Sequence, residues 1–190
     1  MAVTFDDGHA SVLEEALPVL ARHGLVGTVF PRLDLLGSPG LLSQPGLEAL
    51  VAAGWEVGSH TLTHRDLTTL DDAELERELA GSKRELEALL GRPCRSIAYP
   101  RGNADERVLA AAAAAGYEAG AALYGVLVPQ GRLAWPRVGV HGREGRVLFR
   151  ARISRPLRSL RGSEQGTRLV GSAARLAQSV GGRTSRRSQR

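Results

Sequence analysis

A chain of 190 residues suits one domain with an ordinary core and leaves room for a tail. A lone cysteine, Cys94, excludes an internal disulfide, no apolar run approaches the ~20 residues of a membrane span, and no basic-then-apolar leader opens the chain, so a cytoplasmic or membrane-peripheral protein is expected. The net charge of +5 is unevenly spread: residues 150–190 hold 11 Arg against one acid, Glu164, a balance of +10, which leaves −5 on residues 1–149.

In chain order, residues 2–5 read as a short strand that runs into Asp6-Asp7-Gly8. A helix is expected over 11–23, closed by Gly24, with Pro18 marking a kink or a late start. Residues 25–30 read as a strand, 31–45 as a loop punctuated by Gly37, Pro39 and Gly40, and 46–53 as a helix ending at Gly54. A third strand over 55–59 leads into a loop over 60–70. The strongest helix is 72–90, where Asp71 and Glu74 have capping-box spacing, Gly91 closes the far end, and Leu75, Leu79, Leu86, Leu89 and Leu90 recur near helical spacing. A strand over 96–99, a helix over the alanine run 109–115 and a strand over 117–123 follow, with short candidate strands at 126–128 and 138–140. Strands alternating with helices imply an α/β fold with a parallel sheet. The domain is expected to span 1–149 and an Arg-rich tail 150–190, part helical (152–160 and 167–180) and part disordered.

Four features fall at the C-terminal ends of these strands: Asp6-Asp7, His60-Thr61-Leu62-Thr63-His64, Tyr99-Pro100 and Arg137. Ligands of open α/β sheets and α/β barrels bind at that edge. Adjacent strand residues point to opposite faces, so two neighbouring acids share one site only where the alternation breaks. Histidines four apart share a face on a helical turn. Two imidazoles and one carboxylate give three protein ligands with open positions, the arrangement of a catalytic metal site. The second aspartate is then left to take a proton from water. His9 beside the acids is a candidate supporting residue or a turn residue. His23 reads as a surface residue at a helix end. Trp55 reads as core, and Trp135 as core or groove lining.

The motifs TFDDG, SHTLTH and AYPRG, with connecting text such as AAGWEVGSHTLTHRDL and ELEALLGRPCRSIAYP, resemble the polysaccharide deacetylases with a NodB-homology domain, carbohydrate esterase family four, over about residues 2–141. The resemblance implies an irregular (β/α) barrel, to which the charge count adds a basic C-terminal tail. Because family members carry more chain before TFDDG, either the start is misassigned or the barrel is incomplete at that edge. It further implies a hydrolase that removes acetyl groups from N-acetylated sugars with a divalent metal, zinc being the expected ion. Matched by position, Asp6 is the general base, and Asp7, His60 and His64 hold the metal. The backbone N–H of Tyr99 helps stabilise the oxyanion. Many members place an arginine before the third motif's proline; here Ala98 stands in the AYP variant, so Arg137 is expected to pair with Asp6, with Arg101 as the second choice. No copy of the family's late Leu-x-His is found, and His141, the only histidine after His64, is the candidate general acid. The alternatives are a non-catalytic glycan- or partner-binding module and a hydrolase of small non-peptide amides.

An N-acetylated glycan is therefore the expected partner. The Arg tail adds an anionic membrane surface, which ranks above nucleic acid because no nucleic-acid module signature is present. Sedimentation with anionic liposomes tests this: the full chain is expected to co-sediment and a chain ending at residue 149 to stay in solution, whereas equal binding by the two would overturn it.

Overall fold

The structure, a computed structural model, describes residues 2–123, 131–140 and 145–153. Its first sheet has the order β1–β2–β3, from Thr4–Asp7, Thr28–Pro31 and Glu56–Val57. These strands pair in parallel, with Thr4 opposite Thr28, Asp6 opposite Phe30, Asp7 opposite Pro31 and Val29 opposite Val57. The second sheet has the order β4–β5–β6, from Ser96–Ala98, Ala119–Leu123 and Trp135–Arg137, and β4 pairs with β5 in parallel. A parallel bridge between Ser59 and Ile97 links the two: Ser59 N–H donates to Ser96 O and Ala98 N–H to Ser59 O, each at 2.9 Å. The architecture is α/β with parallel sheets, as the alternating pattern predicts.

The helices form where caps and apolar spacing agree. Ser43 accepts the Gly46 N–H and opens α2 (Gln44–Ala52). Asp71 accepts the Glu74 N–H at 2.8 Å and opens α3 (Asp72–Glu76), which continues through a π turn, Arg77–Gly81, into α4 (Ser82–Leu90). Gly91 ends that helix at φ +62°, a left-handed conformation glycine adopts without steric penalty. Ahead of these, a π turn over Val12–Ala16 runs into α1 (Leu17–Arg22), and Pro18, which has no N–H to donate, falls at that junction, where the regular hydrogen-bond pattern already changes. α5 is Glu106–Ala114. It starts earlier than the alanine run because Asp105 accepts the Val108 N–H at 2.8 Å.

The core is built from Leu47, Leu50, Leu75, Leu79, Leu86 and Val108 of the helices, Val29 and Ile97 of the strands, and Tyr99 just after β4, all at most 2% exposed. Each such leucine contributes ~1.5–3 kcal/mol by leaving water. Leu89 and Leu90 are only half-buried. Trp55 is core, 3% exposed and stacked on Phe5 at 5.6 Å between ring centres. Trp135 is 61% exposed, so the core reading does not hold for it. β2 begins at Thr28, later than expected, because its register with β1 starts there, and Leu25 and Val26 stay exposed. The late strand forms at Trp135–Arg137 and not at 138–140. It carries Pro136 at the end of the strand order, an edge position where a missing N–H is tolerated.

The chain divides into two units, one of Met1–Ala122 with Val128–Trp135 and one of Leu123–Leu127 with Pro136–Arg190. In the second, α6 spans Arg146–Ile153, across the boundary expected at 149/150. The strand expected at 126–128 and the tail helices expected at 152–160 and 167–180 fall largely or wholly outside the described residues. Among the described residues no helix is long and apolar enough to cross a membrane.

Gly58, the residue after β3, leaves no room for a side chain. A Cβ there would lie 2.4 Å from Phe30 Cε1 and 2.5 Å from Ser96 Oγ. Gly58→Ala is expected to destabilise the protein by ~1–3 kcal/mol through overpacking, read as a lower urea midpoint at unchanged slope.

Candidate metal centre

β1 brings both aspartates to the site. In a regular strand one of them would point away. Asp7, however, takes φ +67°, and the break in alternation lets both side chains face His60: Asp6 Oδ2 lies 3.9 Å and Asp7 Oδ1 3.8 Å from His60 Nε2. Asp7 Oδ1 is also 3.8 Å from His64 Nε2, and the two imidazole rings meet edge to face at 4.8 Å. One ligand atom from each of Asp7, His60 and His64 lies within 4.8 Å of the others. Aspartate and two histidines are a donor set for a divalent cation, so the three expected ligands converge.

The segment 60–64 is not a helical turn, so the four-residue spacing does not pair its histidines in the way a helix would. It is a loop with Thr61 at φ +67° and His64 at φ +57°. A β-branched residue in that region is strained, and each such residue costs on the order of 1–3 kcal/mol unless its surroundings hold it there. Here side-chain oxygens do the holding. Ser59 Oγ accepts the Thr61 N–H at 3.0 Å and Thr61 Oγ1 accepts the His64 N–H at 3.1 Å. Glu78 Oε2 accepts the Leu62 and Thr63 N–H groups at 2.9 and 3.0 Å, and Glu78 Oε1 accepts the Thr63 hydroxyl. Ser59 Oγ in turn donates to Ser82 Oγ at 2.8 Å, and the Tyr117 hydroxyl lies 3.2 Å from the same Ser82 oxygen.

Glu78, Ser59, Ser82 and Tyr117 support the site, a role that none of its sequence motifs marks. A signal for two of them lies in helical spacing: Glu78 and Ser82 fall on the stripe of Leu75, Leu79 and Leu86, where an acid needs a partner. The mixed charges of DDAELERELAGSKREL mask it.

His60 is 2% exposed, and its Nδ1 lies 2.7 Å from Ala98 O. A carbonyl only accepts, so Nδ1 carries the proton and the Nε2 lone pair faces the aspartates. Burial lowers the His60 pKa below its ordinary 6.5, against the pull of Asp6. The imidazole is thus kept neutral, as a metal ligand must be.

Tyr99 is a correction. Its backbone N–H donates to Ala121 O at 3.1 Å in the β4–β5 ladder, so it is not available to an oxyanion, and its ring is fully buried with the hydroxyl donating to Leu133 O at 2.8 Å. Arg101, two residues on, takes φ +57° on the exposed surface. His9 is exposed and bridges Leu41, which leaves it a turn residue, and His23 is an exposed helix-end residue as expected. Arg137 ends β6, half-buried, in the second unit. His141 lies outside the described residues.

Residues 1–120 match the family model described as polysaccharide deacetylase. A Bacillus subtilis relative provisionally named polysaccharide deacetylase YxkH is 30% identical over 118 residues, 62% of this chain and 42% of the relative. A chitooligosaccharide deacetylase of Sinorhizobium fredii is 32% identical over 152 residues, 79% of this chain and 66% of the relative. Among solved structures, a polysaccharide deacetylase from Bacillus cereus aligns with a TM-score of 0.70 at 29% identity, over 80% of this chain and 51% of that one. The Streptococcus pyogenes deacetylase PplD, solved with acetate, aligns with a TM-score of 0.62 at 27% identity, over 64% of this chain and 54% of that one. The chain therefore spans between about two fifths and two thirds of the length of these relatives.

The depressed His60 pKa carries a sign. Below 6.5 the unfolded chain takes up a proton that buried His60 resists, so the stability tied to neutral His60 is present above 6.5 and lost as the pH falls from there through its folded value. Asp66 and Glu87 also have lowered values, but their contribution is lost only further down, below the ordinary carboxyl values of 3.8 and 4.5. In chelator-treated protein the urea midpoint is expected to fall between about pH 6.5 and 5, and His60→Asn is expected to flatten that limb.

Proposed function

The chain belongs to the polysaccharide deacetylase family, and from that membership we propose that it is a metal-dependent hydrolase removing acetyl groups from the N-acetylated sugars of a poly- or oligosaccharide. The observation that carries the reading is the convergence of Asp7, His60 and His64, with Asp6 against the same His60 nitrogen. The family reading extends to the fold. We infer the irregular (β/α) barrel, supported by the parallel ladders of β1–β2–β3 and β4–β5 and the Ser59–Ile97 bridge between them.

Asp7, His60 and His64 would hold a divalent cation, with zinc suited to a donor set of two imidazoles and one carboxylate. When bound, such a cation supplies Lewis acidity, which acidifies water and polarises the acetyl carbonyl. The remaining steps fall to the chain. Asp6, its side chain 32% exposed, accepts the proton of the attacking water. His60, locked by Ala98 O with its lone pair inward, presents one orientation only. The oxyanion needs a backbone donor near the end of β4. Tyr99 N–H is committed to the sheet and Pro100 has none, so the next is Arg101 N–H, which makes no backbone hydrogen bond among the described residues. A backbone N–H held by a left-handed residue at a strand end is a preorganised donor of the kind acyl transfer requires. His141 is the proposed proton donor to the leaving amine, as the only histidine after His64.

Acetate release from N-acetylglucosamine oligomers, measured beside metal content, tests the assignment. Asp6→Asn is expected to cut turnover by on the order of 10²–10⁴ while retaining bound metal, and Asp7→Ala to lose the metal. Full activity in Asp6→Asn would remove Asp6 as the base. No release from any acetylated glycan by metal-loaded wild type would favour a binding module.

A further inference from the structure

The loop that carries both candidate histidine ligands has four consecutive backbone N–H groups, from Thr61 to His64, and all four are taken by side-chain oxygens. Two of the four go to one carboxylate, Glu78, which is 4% exposed. That carboxylate also accepts the Thr63 hydroxyl, so both its oxygens are occupied by the loop. A buried carboxylate is costly unless its oxygens are bonded, and backbone N–H groups left without acceptors are costly in turn. Each therefore holds the other in place. The loop contains Thr61 and His64 in left-handed conformations that would relax if released.

The element behind Glu78 fits this role. The π turn Arg77–Gly81 interrupts the regular helix at Glu78 itself. Two of its carbonyls accept hydroxyls: Ser82 Oγ donates to Glu78 O at 2.6 Å, and Tyr117 OH donates to Leu79 O at 3.0 Å. π turns inside helices frequently mark functional sites. On the opposite side, Asp34 N–H donates to Leu62 O at 2.9 Å, which pins the loop from the segment after β2.

We propose that Glu78 is a positioning residue for the metal centre. Its carboxylate clamps Leu62 and Thr63, fixes the loop whose strained residues Thr61 and His64 flank that pair, and so sets His64 against Asp7 and His60. Glu78 acts through the geometry of the loop, and its reach matters more than its charge. This rests on the reading of Asp7, His60 and His64 as metal ligands.

Two near-isosteric substitutions separate reach from charge. Glu78→Gln keeps the length: its amide oxygen can accept both N–H groups and its amide nitrogen can donate to Thr63 Oγ1. Glu78→Asp keeps the charge but is one carbon–carbon bond shorter, about 1.5 Å, and cannot span the same acceptors. The readouts are Zn2+ affinity, by competition with a chromophoric chelator, and the visible absorption of the Co2+ form, which reports ligand geometry. A core variant, Leu47→Ala, controls for loss of stability alone. Glu78→Asp is expected to weaken Zn2+ binding on the order of 10–100-fold and to alter the Co2+ spectrum. Glu78→Gln is expected to stay within about threefold of wild type, and Leu47→Ala to bind normally while folded. The reverse order of the two Glu78 variants, wild-type affinity in both, or an equal loss in Leu47→Ala would overturn the clamp. No Zn2+ binding by the wild-type chain would overturn the metal reading itself, and the clamp with it.

Discussion

The hydrogen bond between His60 Nδ1 and the Ala98 carbonyl, 2.7 Å long and out of contact with water, ties the end of β3 to β4 and fixes which imidazole nitrogen faces the aspartates. The strands on either side are placed by the same logic. Parallel pairing puts Asp6 and Asp7 at the end of β1 beside Phe30 and Pro31, and the Ser59–Ile97 bridge carries the register across to Ala98. A parallel sheet aligns the C-terminal ends of its strands. Residues far apart in sequence therefore meet there without any loop having to travel. His60 is the member for which this matters most, because burial disfavours its charged form and the Nδ1–H bond to Ala98 O gives its ring one orientation.

Around that bond the backbone is strained in a pattern. All four non-glycine residues with positive φ among those described, Asp7, Thr61, His64 and Arg101, lie at the end of β1 or in the segments that follow β3 and β4. Such conformations persist only where neighbouring interactions over-determine them. At Asp7 the strain turns an outward side chain inward. Within the loop it curls two histidines towards one point, and the hydrogen bonds that sustain it come from Ser59, Thr61 and Glu78. The stability given up at the site is offset by helices whose buried leucines lie behind it.

Much of the scaffold was legible from local rules. Asp71 with Glu74, and Gly91 at the far end, bounded the helix over 72–90 because capping depends on a few adjacent residues. The start of α5 is less legible: the alanine run points to residue 109, whereas the Asp105 cap opens the helix at Glu106. The role of Tyr99 is not legible for a different reason: whether a strand-end N–H is free depends on the neighbouring strand, and Ala121 takes it. Trp135 was ambiguous because a large aromatic reads as core until its surroundings are known, and here it is exposed.

The sequence by itself determined the ligand types and their order, two adjacent acids and then two histidines four apart, together with the alternation of strands and helices that implies a parallel sheet. It also placed the three motifs at strand ends, since turn and strand signals are local. Only the tertiary structure decided that Asp7 and Asp6 face the same way, that the histidine pair sits on a strained loop and not a helical turn, and that Glu78 on a distant helix holds that loop. The physical reason is that backbone strain and the partner of a buried carboxylate are set by atoms brought together from distant parts of the chain. No periodicity in a single segment records them.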